Sequence, residues 1–150
     1  MEALDNYLRK QARQDIKKRV AAAFVLTPDG TTIAGYYSLS QYSVGLETLP
    51  EKIVRQLPKY PAVPATPIGR LAVSTAFRGR GVGRLLLMDA LDRCLSASKQ
   101  IAAAAVIVHA KNDAAAGFYK KYGFLELPGI SSRLFLPMRT VERLVSGESR

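Results

Sequence analysis

The stretch from Ile68 to Ser96 constrains this chain more than any other. Ile68-Gly69-Arg70-Leu71-Ala72-Val73 is an apolar, β-prone run, and Arg84 to Ser96 carries Leu87, Leu91 and Cys94 or Leu95 at helical spacing. Between them lies Arg78-Gly79-Arg80-Gly81-Val82-Gly83, so the predicted unit is strand, glycine loop, helix. Gly81 and Gly83 let the backbone approach a ligand closely, and the first N–H groups of a helix have no acceptor of their own, which suits phosphate oxygens. Arg78, Arg80 and Arg84 add positive charge. Taken alone, the spacing also fits a tight connection with no ligand. It is not a P-loop, because Gly-Lys-Ser/Thr is missing, and Gly79, Gly81 and Gly83 do not fit the dinucleotide fingerprint.

The remaining segments predict a sheet around this unit. Leu4, Leu8, Ala12 and Ile16 mark an amphipathic first helix with a basic outer face. Val20 to Leu26, the turn at Pro28, Asp29 and Gly30, and Thr32 to Val44 read as a β-hairpin. Pro50 to Leu57 allows one or two helical turns, and Pro58, Pro61, Pro64 and Pro67 predict an extended, irregular connection of the kind that carries binding residues. Ile101 to His109 is expected to be a strand, Asn112 or Asp113 the N-cap of a helix through Lys121, and Gly123 its C-cap. Phe124 to Leu127 and Arg133 to Leu136 close the sheet. Strands before and after two helical crossovers predict a mixed α/β (α+β) arrangement with helices on the sheet faces.

A chain of 150 residues suits one domain, 1–150, that buries roughly two thirds of its unfolded surface without a staple. One cysteine and one histidine exclude disulfide scaffolds and zinc fingers. No apolar run nears the roughly 20 residues that cross a bilayer, and Met1 to Lys10 lacks the apolar core of a signal peptide, so a cytoplasmic protein is expected. The charge is the unusual quantity: 22 Lys and Arg against 12 Asp and Glu give +10, which favours a polyanionic partner. Arg9, Lys10, Arg13, Lys17, Lys18 and Arg19 form one basic run and the glycine-loop arginines a second.

The loop resembles the Q/R-x-x-G-x-G/A signature of the GNAT N-acetyltransferases. Asn112 to Phe124 (Asn-Asp-Ala-Ala-Ala-Gly-Phe-Tyr-Lys-Lys-Tyr-Gly-Phe) resembles a later block of the same superfamily, N-x-x-A-x-x-F-Y-x-x-x-G-F. Two blocks in order are far more specific than either alone. The resemblance implies a GNAT fold with a mixed, mostly antiparallel central sheet, and acetyl-coenzyme A gripped through its diphosphate by residues 78–83. It implies that the preceding strand bulges and binds pantetheine at Leu71, Ala72 and Val73, that Asn112 contacts the cofactor, and that Tyr119 sits near its sulfur.

Within that superfamily, Leu4 to Arg19, Gly-Tyr-Tyr-Ser-Leu-Ser at 35 to 40, Gly69 to Val73 and Leu134-Phe135-Leu136-Pro137-Met138 are similar to the tRNA-acetylating toxins of bacterial toxin-antitoxin pairs. The likeness spans nearly the whole chain. It implies transfer of acetyl to the α-amine of aminoacyl-tRNA, a ribbon-helix-helix antitoxin that reaches operator DNA, and a homodimer. Members of this group have a strand before the first helix, whereas this sequence starts almost inside that helix, so the first edge strand is expected to be missing.

Acetyl transfer needs a neutral amine, oxyanion stabilisation and a proton for the departing thiolate. Tyr119 is the candidate acid; without the family block it would be read as packing with Phe118, Tyr122 and Phe124. No Asp, Glu or His lies in residues 68–83, leaving Glu47, Glu51 or water as bases. An α-amine titrates near 7.7 to 8.0 against about 10.4 for lysine, so an aminoacyl ester needs little help. Arg13, Lys17, Lys18 and Arg19 are either a solvated face or the surface that meets tRNA phosphates. His109 reads as peripheral and Cys94 as packed. Two other functions fit the same fold: acetylation of a small molecule or a peptide N-terminus, and a non-catalytic RNA-binding or repressor module.

Overall fold

A computed structural model describes residues 21–40, 42–45, 50–54, 62–127 and 130–147. In chain order these form β1 (Ala22–Leu26), β2 (Gly35–Leu39), β3 (Tyr42–Gly45), α1 (Glu51–Val54), β4 (Ala62–Val73), a 3-10 turn (Thr75–Phe77), α2 (Val82–Ser98), β5 (Ala105–His109), α3 (Asp113–Lys120), β6 (Leu125–Leu127), β7 (Ile130–Pro137) and α4 (Met138–Val145). Among the described residues the sheet order is β1-β2-β4-β5-β7-β6, with β3 also paired to β4. Each pair β1–β2, β2–β4, β3–β4, β5–β7 and β6–β7 is antiparallel, as expected of a mostly antiparallel sheet. The expected first helix at 4–19, and with it the expected absence of an edge strand, lies outside the described residues. No helix among the described residues is long and apolar enough to cross a membrane.

The chain divides into two compact units, 1–40 with 68–93 and 41–67 with 94–150. In the first, β1 and β2 form the expected hairpin. The Asp29 carboxylate accepts the amides of Thr32 at 2.6 Å and Thr31 at 2.9 Å, and Gly30 takes φ 87°. Those two amides hold the Asp29 carboxyl far below its ordinary range. The hairpin's second arm is shorter than expected: Thr32 to Val44 divides into β2 and β3, and β3 pairs with β4 instead of prolonging the hairpin. Along β4 the partners Ser38↔Arg70 and Leu39↔Ile68 leave Gly69 unopposed. A Cβ at Gly69 would stand 2.9 Å from Ser38 Oγ, which accepts the Arg70 amide at 3.1 Å, so a side chain at the bulge would have to displace that hydroxyl. Helix α2 buries Leu87, Leu91 and Cys94 of the expected stripe, and Leu86 and Ala90 beside them. A Cβ at Gly35 would meet Leu86 Cδ1 at 2.6 Å and the Ala72 carbonyl oxygen at 2.7 Å, so only glycine allows that approach of helix to strand.

In the second unit, β4 begins at Ala62, where an irregular proline-rich connection was expected. The prolines are tolerated for a definable reason. N–H and C=O of one strand residue point to the same side, and Pro64 turns its carbonyl to the Ala104 amide at 2.8 Å, so its missing N–H is not needed by Ser43 of β3 opposite. Pro67 falls between the pair Tyr42↔Ala65 and the pair Leu39↔Ile68, where neither ladder calls for a donor. The strand expected from Ile101 begins only at Ala105; Ile101 is exposed, and its amide still bonds the Ala97 carbonyl at 2.8 Å as the chain leaves α2. Ala105 to Val108 are buried without alternation, the signature of a strand covered on both faces. Helix α4 was not anticipated, although Met138, Val141, Leu144 and Val145 recur at helical spacing; of these only Val141 is buried.

Candidate active site

The glycine loop lies within the first unit. Residues 71–73 end β4 in unbroken register, Tyr37↔Leu71, Tyr36↔Ala72 and Gly35↔Val73. The bulge implied by the family resemblance therefore falls at Gly69, ahead of Leu71, Ala72 and Val73, because Gly69 is the residue that has no opposite number. Past β4 the Ser74 amide bonds Ala34 O at 2.8 Å, the 3-10 turn runs to Phe77, and Arg78 returns to extended geometry at φ −64°, ψ 147°. Gly79 (φ 77°) and Gly81 (φ 75°) then take left-handed conformations that L side chains avoid, and no atom lies within 4 Å of a Cβ at either. The loop is thus shaped by backbone handedness, with open space over both glycines.

Helix α2 follows at once. Leu85 N–H donates to Gly81 O at 3.1 Å, the first helical bond, so the amides of Val82, Gly83 and Arg84 have no helical acceptor. No acidic residue occupies the first turn. Arg78, Arg80 and Arg84 are exposed and, among the described residues, form no ion pair; the Arg80 guanidinium rests 5.4 Å from the Phe77 ring centroid. Unpaired amides, unpaired guanidiniums and uncovered glycines together suit a diphosphate, and Leu71 to Arg84 supply all of them within one unit.

In the second unit Asn112 is the N-cap of α3, extended at φ −156°, with its Oδ1 accepting the Ala115 amide at 2.9 Å. That oxygen is committed to the helix, which leaves the side-chain NH2 to meet a ligand. The helix ends at Lys120 and Lys121 is its C-cap, so Gly123, expected in that role, lies two residues further on, where it takes φ 101°. Tyr119 projects from α3 with its ring buried, 5.3 Å from Phe118 in edge geometry and 5.3 Å from Phe124. Burial pushes its phenol up to about 12. No hydrogen bond reaches the Tyr119 hydroxyl, yet among the described residues no buried side-chain oxygen or nitrogen lacks a partner. The hydroxyl is thus largely desolvated without being sealed off, and its proton is not engaged elsewhere, an arrangement suited to a proton donor.

Arg13, Lys17, Lys18, Arg19 and the alternative base Glu47 lie outside the described residues. Glu51 is exposed in the first turn of α1, and His109 is exposed at the end of β5, opposite Arg133. Cys94 is buried, its thiol pushed up to about 12 by that burial, so it packs. Sequence reasoning missed Tyr37, a buried strand residue whose hydroxyl bonds Asp89 and Arg93 on α2.

The profile of the acetyltransferase (GNAT) family matches residues 2–124. The chain belongs to that family. The glycine loop, Asn112 and Tyr119 all fall inside the match. The chain is 36% identical over 143 residues to a tRNA-acetylating toxin of Mycobacterium tuberculosis, covering 95% of this chain and 84% of that one. A probable toxin TacT of Sinorhizobium fredii is 32% identical over 150 residues, with 95% and 83% covered. Among solved structures the toxin AtaT complexed with acetyl-methionyl-tRNAfMet superposes with a TM-score of 0.87 at 30% identity, covering 96% of this chain and 86% of that one. AtaT has also been solved with acetyl-CoA and the C-terminus of its antitoxin AtaR, with a TM-score of 0.80 at 26% identity over 97% and 85%.

Proposed function

We propose that this chain moves the acetyl group of acetyl-coenzyme A to the α-amine of an aminoacyl-tRNA, withdrawing charged tRNA from translation. The observation that carries the reading is the 36% likeness, across 95% of the chain, to a tRNA-acetylating toxin. Residues 78–83 and the first amides of α2 hold the diphosphate, Leu71, Ala72 and Val73 offer backbone groups to the pantetheine arm, and the Asn112 amide adds a donor. The thioester, once bound, supplies an acyl carbon with a good leaving group.

Tyr119 holds its proton at Oη across the physiological range. A phenol raised to about 12 resists being left as phenolate, so its part is to donate to the sulfur as charge develops there and to regain a proton that the attacking amine gives up. The amine nitrogen gains the bond to carbon, the sulfur leaves with the electron pair, and one proton passes from nitrogen to sulfur. An α-amine titrates near 7.7 to 8.0 and the adjacent ester lowers it further, so much of it is neutral near pH 7 without a dedicated base, in keeping with the lack of Asp, Glu or His in residues 68–83.

The same reading carries residues 1–150 as one catalytic domain, with Arg13, Lys17, Lys18 and Arg19 facing tRNA phosphates. It also carries a ribbon-helix-helix antitoxin that brings the complex to DNA, a homodimer, and action in the cytoplasm. The net charge of +10 favours a polyanionic acceptor and disfavours polyamines. The test is incubation with labelled acetyl-CoA and total aminoacyl-tRNA, followed by RNase digestion and mass analysis. Acetyl-aminoacyl-adenosine from a small set of tRNAs is expected. Label absent from every tRNA while coenzyme A still binds would overturn the acceptor and point to a small molecule or a peptide N-terminus.

A further inference from the structure

Four side chains of the first unit form a connected cluster that the acyl-transfer chemistry does not use. The Tyr37 hydroxyl, on β2, donates to Asp89 Oδ2 on α2, and Arg93 Nε donates to Tyr37 Oη at 2.9 Å and to Asp89 Oδ2 at 3.2 Å. The Arg93 guanidinium lies 4.1 Å from the centroid of Phe24 on β1, and Phe24 stacks on Tyr37 at 5.2 Å. Asp89 and Arg93, one helical turn apart and half exposed, would contribute little as an ion pair alone. Their distinction is the shared bond to a tyrosine that is 1% exposed. One turn towards the start of α2, Leu86 Cδ1 comes so near Gly35 that no Cβ fits there.

Helix α2 is therefore fixed to β2 at two points, Gly35 with Leu86 and Tyr37 with Asp89 and Arg93. The same two strand residues face Val73 and Leu71 in the β4 ladder. One wall of the cofactor loop is the end of β4 and the other is the first turn of α2, and both are referenced to Gly35 and Tyr37. We propose that Tyr37, with Asp89 and Arg93, is a positioning group that holds the first amides of α2 at the right distance from Leu71 to Val73, and so sets affinity for the diphosphate of coenzyme A. This rests on the reading of residues 78–83 as the diphosphate cradle. Donors must sit within a fraction of an ångström of their target to bind it well, so a helix free to slide loses affinity for that group alone.

The test is competition binding with coenzyme A and with pantetheine, which lacks the diphosphate. The wild-type protein is expected to bind coenzyme A far more tightly. Tyr37→Phe keeps the ring on Phe24 and removes the hydroxyl; it is expected to lose about three- to tenfold in coenzyme A affinity, the worth of one such hydrogen bond, with pantetheine unchanged. Asp89→Asn and Arg93→Gln, at half-exposed positions that tolerate change, are expected to move coenzyme A in the same direction and serve if Tyr37→Phe does not fold. Unchanged coenzyme A affinity, or equal losses for both ligands, overturns the positioning role. A wild-type protein that does not distinguish the two ligands overturns the cradle itself, and the positioning role with it.

Discussion

Tyr119 combines a buried ring with an unpaired hydroxyl, and the two properties make separable demands. Replacing it with phenylalanine keeps the contacts with Phe118 and Phe124 and removes only the proton. Tyr119→Phe is expected to lower kcat about a hundredfold or more, with coenzyme A affinity nearly unchanged, in a steady-state assay beside a binding titration. The pH profile follows from the direction of the shift. Because burial raises the phenol to about 12, the acid stays loaded as pH rises, so the rate should climb with amine deprotonation through about 8 and show no loss of the acid until near 12. A wild-type rate that declines from about pH 9, and does not in Tyr119→Phe, would contradict that shift. The tyrosine was legible because it sits in a recognisable block. Tyr37 was not: period-two patterning marks it only as buried, and its partner Asp89 is 52 residues away.

Among the elements, α2 and α3 were legible because each advertises its start. Gly79 and Gly81 precede the one, and Asn112 caps the other with the bond its residue type predicts. The opposite case is β4, where Pro64 and Pro67 argue against a strand and only the sides on which the ladders lie make them harmless. Ile101 to Ala104 failed for another reason, since an apolar run does not say whether the chain has left the preceding helix. The glycine loop also yields a test at this scale. Gly81→Ala adds a methyl that meets no atom within 4 Å, so any effect is conformational. An L-residue at φ 75° costs about 1 kcal/mol. The variant should show a thermal midpoint lower by a few degrees and weaker coenzyme A binding, by calorimetry and titration. Wild-type values for both would mean that the loop relaxes freely.

For the molecule as a whole, the buried acids set an alkaline limit. Folding raises Cys94 from 9.0 to about 12 and Tyr119 from 10.0 to about 12, and moves Tyr37 upward from 10.0 through burial and then the Asp89 carboxylate. In every case the unfolded chain releases its proton at lower pH than the folded one, so unfolding becomes easier with rising pH once the unfolded groups begin to ionise. Their contribution is complete below pH 9 and is lost as pH climbs towards 12. Urea midpoints should be flat with respect to these groups from pH 7 to about 8.5 and fall beyond. Cys94→Ala, though less stable at pH 7, should show a shallower fall between pH 9 and 10; an equally steep fall would remove Cys94 from the account.

The handedness of the loop carries one more consequence. At Gly79 and Gly81 the backbone follows the path of a mirror-image amino acid, although a Cβ built there meets no atom within 4 Å. Translation supplies only L-residues and one achiral one, so at these two positions nearly the whole genetic code carries a conformational cost although nothing crowds them. Chirality alone sets that cost, and D-alanine, whose preferred backbone region is this one, would be free of it.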